Sequence, residues 1–278
     1  LITFVTDGHR YESVLPDGID WVSVSTLAGQ FKENFDPKGM SLRCSKNKKS
    51  KWYGMDPEEI QWIWKNKADR SCDVGTAYHK VQEAELLSCE TVDISGEEFM
   101  VQAPIEEEGV KKAPEQKLEN GWIYPEHMVY LKTVGVCGQV DYVEVANNIL
   151  NVRDYKTNQK IETESYFNPY SGTSKMMLTP VSHLEDCNFQ AYSLQLSMYA
   201  YMMLKHNPQL SVGKLIIEHA VFAIAGEDQY GDPIILLDDW GNPVVDKIVP
   251  YEAKYLRSEV EAIFNWLKDN RHNLRKKT

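Results

Sequence analysis

The stretch from Val134 to Lys156 constrains the fold most. Val134, Val136, Val140, Tyr142 and Val143 read as one strand, Ile149 to Tyr155 as the next, with Asn147-Asn148 between them. Asparagine tolerates the positive φ of a tight turn, so the two segments are expected to form a hairpin. In that hairpin Asp141 and Asp154 lie toward the same end, away from the turn. Lys156 follows Asp154 by two residues, and strand periodicity puts both side chains on one face. Clustered carboxylates are costly unless a cation neutralises them. A hard cation such as Mg²⁺ prefers oxygen ligands, and the backbone carbonyl of Tyr155 would add one to the two acids. The Lys156 side chain would orient or, as the neutral amine, deprotonate an attacking water, and as the ammonium stabilise charge on a phosphodiester. Asp-x-Lys alone is common on solvated strand faces, so the weight falls on what accompanies it.

Several elements do. Pro57-Glu58-Glu59-Ile60 opens a helix to about Asp69, with proline near N1 and acids in the first turn. A second helix, from about Val74 to Leu87, carries His79 and Glu83. Before them come a short strand, a turn and a helix from near Ser25 that carries Leu27, Phe31 and Phe35. Residues 93 to 120 are polar and suggest a variable loop or a ragged hairpin. Beyond the central hairpin lie a long loop over 157 to 187, a helix from Phe189 to Lys205 and a strand from Lys214 to Ala225. Turns near Gly231 and Gly241 separate short strands, and a closing helix runs from about Tyr251 to Leu274. This order implies an α/β core with a central mixed sheet flanked by helices. A mainly helical N-terminal portion, 1–92, precedes an α/β core over 121–278 within one domain.

Composition narrows the class. With 42% hydrophobic and 26% charged residues the chain can bury a sizeable core. Its apolar runs are too short to span a bilayer. Leu1 to Asp7 lacks the features of a signal peptide, so a cytoplasmic location is expected. Cys44, Cys72, Cys89, Cys137 and Cys187 are odd in number and widely spaced, which suggests buried free thiols rather than disulfides or a zinc ribbon. The net charge of −11 argues against a DNA-coating protein, but an enzyme that releases its substrate needs only a local basic path. Lys46-Asn47-Lys48-Lys49-Ser50-Lys51 and the tail Arg271, Arg275-Lys276-Lys277 are candidates for such a path or simply solvated surface. Trp52, Tyr53, Trp62 and Trp64 offer base-stacking surfaces, though Trp62 and Trp64 cannot share one helix face and packing is the favoured role for the group.

Taken together, Gly75-x-x-x-His79, Gly138-Gln139-Val140-Asp141, Asp154-Tyr155-Lys156-Thr157 and the helix Gln195-Leu196-Ser197-Met198-Tyr199 resemble the PD-(D/E)XK nuclease superfamily, and within it the RecB-type exonuclease branch. His183 to Asn188, the stretch from Tyr192 to Tyr199, His9-x-Tyr11 and Val22 to Leu27 are similar to exonuclease-like proteins of phages and large DNA viruses. The resemblance runs from about residue 9 to about 205. It implies a restriction-endonuclease-like core and a Mg²⁺- or Mn²⁺-dependent exonuclease acting on DNA with a free end. It also implies a place in recombination, replication or DNA processing beside proteins of those pathways, and the short apolar runs give no reason to expect a membrane partner. Asp141 and Asp154 would be metal ligands, His79 a further ligand and Lys156 the catalytic lysine. Gln195 would sit near the site and Tyr199 would contact DNA. Glu126, in Tyr124-Pro125-Glu126-His127, would orient a metal-bound water or a second metal. No cysteine quartet exists, so no iron–sulfur cluster is expected.

Duller roles stay open for single residues. His79 fits a core histidine, Gln195 and Tyr199 fit a core boundary, and Glu83 fits the surface or a partner to His79. Two other classes compete with an exonuclease: a non-catalytic DNA-binding or recruitment module on the same fold, and an endonuclease on the same core.

Overall fold

A computed structural model describes residues 2–5, 10–13, 18–107 and 109–275. In chain order the elements are β1 (Ile2–Val5), β2 (Arg10–Ser13), β3 (Val22–Ser23), α1 (Val24–Gly29), α2 (Pro37–Lys46), α3 (Pro57–Leu87), β4 (Thr91–Ile94), β5 (Glu97–Val101), β6 (Ile105–Glu107), β7 (Val110–Lys112), β8 (Trp122–Leu131), β9 (Val136–Ala146), β10 (Ile149–Lys156), β11 (Phe167–Asn168), β12 (Thr173–Ser174), α4 (Asn188–His206), β13 (Ser211–Phe222), β14 (Ile224–Glu227), β15 (Pro233–Ile235), β16 (Val245–Ala253) and α5 (Arg257–Asn270). His9, Lys276 and Lys277 lie outside the described residues.

The main sheet runs β16-β13-β10-β9-β8-β5-β4, with β3 added beside β9. It is mixed: β10 pairs parallel with β13 and antiparallel with β9. Parallel neighbours need a crossover, and α4 supplies it between β10 and β13. Leu194, Leu196, Met198 and Met202 of α4 are fully buried with Val24 and Leu27 of α1 and Val260, Ile263 and Leu267 of α5. Burying each such side chain contributes about 1.5–3 kcal/mol. A second apolar cluster joins Tyr78, Val74 and Leu86 of α3 to Ile123, Tyr142, Tyr155 and Phe222. Helices therefore flank the sheet. A smaller sheet, ordered β2-β1-β7-β6, packs Ile2 and Phe4 on Met128 and Cys137.

The expected hairpin is present. Asn147 and Asn148 both have positive φ (52° and 60°), and Ile149 pairs with Ala146. Other expectations shift. The two helices over 57–87 are one helix of 31 residues, capped by Asp56, whose carboxylate accepts the N–H groups of Glu58 and Glu59. Gly75 does not break it; a Cβ there would lie 3.0 Å from Thr157 Oγ1, so glycine serves a close approach to the end of β10. The helix near Ser25 ends at Gly29, which leaves Phe31 beyond it, buried against Trp266, and Phe35 exposed. The unforeseen α2 starts at Pro37 behind an Asp36 cap. Of the loop or ragged hairpin expected over 93–120, the hairpin form is present, with β4 antiparallel to β5 and β6 antiparallel to β7, and β8 is a full strand. The last helix starts at Arg257, because Tyr251 to Ala253 pair with β13.

Of the cysteines expected to be buried, Cys137 and Cys187 are, whereas Cys72 and Cys89 are exposed. Trp64 packs near Trp52 while Trp62 is exposed, as their helix spacing requires. Lys51 of the basic run is tied to Asp232. Among the described residues, no helix is long and apolar enough to cross a membrane.

Candidate active site

The candidate site lies where β9 and β10 part. Their pairing ends at Arg153↔Tyr142; past it β10 pairs only with β13. The Tyr155 N–H then has no strand carbonyl, and it donates to Asp141 Oδ2 at 2.6 Å. A buried amide must find such a partner.

On its other side β9 pairs with β8 from Trp122↔Val145 to Leu131↔Val136, but Glu126 and Asp141 form no pair. Glu126 has a φ of +49°, which costs a non-glycine residue on the order of 1–3 kcal/mol. Facing changes parity at this point. Val136 and Val140 join the α4-side cluster before it, and Val143 and Val145 after it. The irregularity releases both carboxylates from the alternation and lets them converge. His79 arrives from α3, held through Tyr78, which packs edge-on against Tyr155 at 5.9 Å.

One ligand atom each from His79, Glu126 and Asp141 lie within 4.8 Å of one another. His79 Nδ1 is 3.4 Å from Asp141 Oδ1. Gln139 donates to Glu126 Oε2. Lys111 Nζ, from β7, is 2.8 Å from Glu83 Oε1 and 4.0 Å from Glu126 Oε2.

Asp154 stands beside this group rather than within it. Its Oδ1 accepts from Gln195 Nε2 at 3.0 Å, and its buried Oδ2 has the Lys156 ammonium as an ion-pair partner without hydrogen-bond geometry. The Lys156 ammonium also lies over the Tyr192 ring, 4.7 Å from its centroid. Of the metal set expected from the sequence, His79, Asp141, Asp154 and the Tyr155 carbonyl, His79 and Asp141 stand together while Asp154 stands beside them. Glu126 joins His79 and Asp141, Asp154 pairs with Lys156, and Tyr155 serves through its N–H and its buried ring.

Gln195 is where the sequence put it, against an acid of the site. Tyr199 needs a correction. It is 4% exposed, and a Cβ on Gly138 would lie 2.6 Å from its Cε1. Its hydroxyl accepts from Gln195. The ring is a buried support beneath β9 with no surface to offer DNA. Glycine at 138 is what makes room for it.

Charge follows this geometry. Burial alone would push the His79 pKa down, but the Asp141 hydrogen bond and charge, with Glu126 and Asp154, outweigh it and raise it to about 9. Burial and the neighbouring Asp141 push Glu126 up to about 8 despite Lys111. Asp141 is itself held below the usual range; burial opposes this, and His79, Lys156 and the Tyr155 N–H prevail. Burial raises Asp154 to about 6 against the pull of Lys156. Lys156 stays above its ordinary value because Asp154 and Asp141 overcome its burial.

Sequence reading missed Lys111, Gln139 and Tyr192 as parts of the site. Gln139 and Tyr192 lie inside the quoted motifs, so their proximity to the acids was available from spacing; nothing local marked Lys111. Compared with known proteins, the chain matches no family model, no curated protein and no solved structure.

Proposed function

We propose that this protein is a Mg²⁺- or Mn²⁺-dependent deoxyribonuclease with a restriction-endonuclease-like core, acting on DNA with a free end. The observation that carries the reading is the convergence of His79, Glu126 and Asp141 beside the Asp154–Lys156 pair. The donor set suits a divalent cation. Imidazole and two carboxylates are ligands that Mn²⁺ accepts, and carboxylate oxygen suits Mg²⁺. The raised pKa values of Glu126 and His79, about 8 and 9, mark a site that holds protons where a cation would replace them. His79, Glu126 and Asp141 would hold the ion, with Asp154 adjacent.

When bound, such a cation neutralises phosphate charge and makes a water more acidic. The chain's own groups do the rest. The Lys156 ammonium, held above its ordinary pKa by Asp154 and Asp141, is placed to stabilise negative charge developing on the phosphate. Asp154 fixes that ammonium, and Gln195 fixes Asp154. Tyr192 walls one side of the ammonium. End-directed action and a place in recombination, replication or DNA processing rest on the motif resemblance to RecB-type exonucleases.

The test compares end-labelled linear duplex with covalently closed circular DNA, each incubated with Mg²⁺ or with EDTA. Mg²⁺-dependent loss of the linear substrate alone is expected. Equal cutting of the circle would indicate an endonuclease, and binding without any cleavage would indicate a recruitment module.

A further inference from the structure

The small sheet delivers a second lysine to the site from outside every motif. Lys111 on β7 pairs across to Phe4 on β1 and Glu106 on β6. Phe4 in turn pairs with Tyr11, and cross-strand partners share a face. That row is anchored on the main sheet through Phe4, Met128 and Cys137. Lys111 Nζ therefore arrives on a packed support, 2.8 Å from Glu83 Oε1 and 4.0 Å from Glu126 Oε2.

The environment sets this lysine apart from a surface pair. The side chains of Lys111, Glu83 and Glu126 are 15%, 21% and 12% exposed. Glu83 lies one helical turn after His79, and Glu126 already belongs to the His79–Asp141 group. Three carboxylates, Glu83, Glu126 and Asp141, thus line one partly dry region. Positive charge near Glu83 and Glu126 relieves their repulsion, and Glu83 stands outside the group formed by His79, Glu126 and Asp141. At Glu83 the chain supplies its own cation, the Lys111 ammonium, where a second divalent ion would otherwise be drawn.

We propose that Lys111 is a positioning residue that takes the place of a second divalent cation, leaving a one-cation site at His79, Glu126 and Asp141. The inference rests on the proposed cation site. An ammonium between Glu83 and Glu126 balances charge there and has no vacant coordination position. It holds Glu126 toward the first ion while closing the Glu83 side to another.

Mn²⁺ titration of the full chain, followed by calorimetry and by the free-Mn²⁺ electron paramagnetic resonance signal, reads the stoichiometry directly. One ion per wild-type chain is expected, and one for Lys111→Arg. Lys111→Met, which keeps the aliphatic stem, should bind two; Lys111→Gln should do the same and serves if the methionine variant folds poorly. Adding Glu83→Gln to Lys111→Met should return the count to one. Two ions on the wild type, or one on folded Lys111→Met and Lys111→Gln, would overturn the inference while leaving the cation site intact. No ion on the wild type would remove the cation site and this inference together.

Discussion

The Tyr155 N–H and Asp141 Oδ2 are joined by a 2.6 Å hydrogen bond across the fork between β9 and β10. It assigns both oxygens of Asp141: Oδ2 is spent on the backbone, which turns Oδ1 toward His79 at 3.4 Å. A strand end that would otherwise leave an amide unpaired is thereby converted into a fixed acid. Fixing matters here, because an acid among acids would otherwise swing away or protonate.

Asp141→Asn tests that relationship. The amide retains the shape and loses the charge that holds up His79. The His79 pKa, about 9 in the wild type, should fall to its ordinary 6.5 or lower as burial takes over. Proton NMR titration of the imidazole reads this without any cation. A value remaining near 9 would mean that Asp141 does not control His79.

Lys156→Met separates chemistry from stability. Cleavage should drop by about 10²–10³ when the donor is lost. Breaking a buried ion pair leaves Asp154 uncompensated and should cost about 3 kcal/mol of unfolding free energy. Asp154→Asn with Lys156→Met should recover most of that stability in urea titrations and none of the activity. If the double variant proves no more stable than the single one, the two side chains are not a buried pair.

Gly138→Ala examines the support beneath β9. A Cβ at 138 would stand 2.6 Å from Tyr199 Cε1, and that ring is buried among α4 and β9 side chains with little room to retreat. Overpacking of this kind costs about 1–3 kcal/mol. Tyr199→Leu in the same chain should restore part of the loss. Equal denaturation midpoints for wild type and Gly138→Ala would show that the ring is free to move.

His127 supplies a pH signature. Burial lowers its pKa from 6.5 to about 4, and its Nε2 has no hydrogen-bond partner. Between those values the unfolded chain takes up a proton that the folded chain refuses. Its contribution to stability is therefore whole above pH 6.5 and lost as pH falls toward 4, by about 3 kcal/mol in total. Denaturation at pH 7.5 and 5.0 should show an acid loss smaller by up to about 2 kcal/mol in His127→Gln than in wild type. Identical losses would contradict a neutral buried ring.

What the sequence discloses is what is local. The hairpin could be read because Asn147-Asn148 and the flanking alternation lie within a few residues of each other. Asp154 and Lys156 follow from strand period alone, and Gln195 from one helical spacing. β8 could not be read, since Pro125 and Glu126 interrupt its pattern at the place where the strand kinks. Lys111 could not be read either, because it reaches the site only through β7 pairing with β1, a partner far away in the chain. Tyr199 shows the remaining gap. Its spacing from Gln195 gives the shared face but not the depth, which depends on the missing side chain at Gly138.

The most direct measurement is the anomalous difference map of crystals soaked in Mn²⁺. A strong peak is expected about 2 Å from a nitrogen of His79 and from carboxylate oxygens of Glu126 and Asp141. A peak elsewhere in a crystal of cleavage-competent protein, with those three side chains bare, would contradict it.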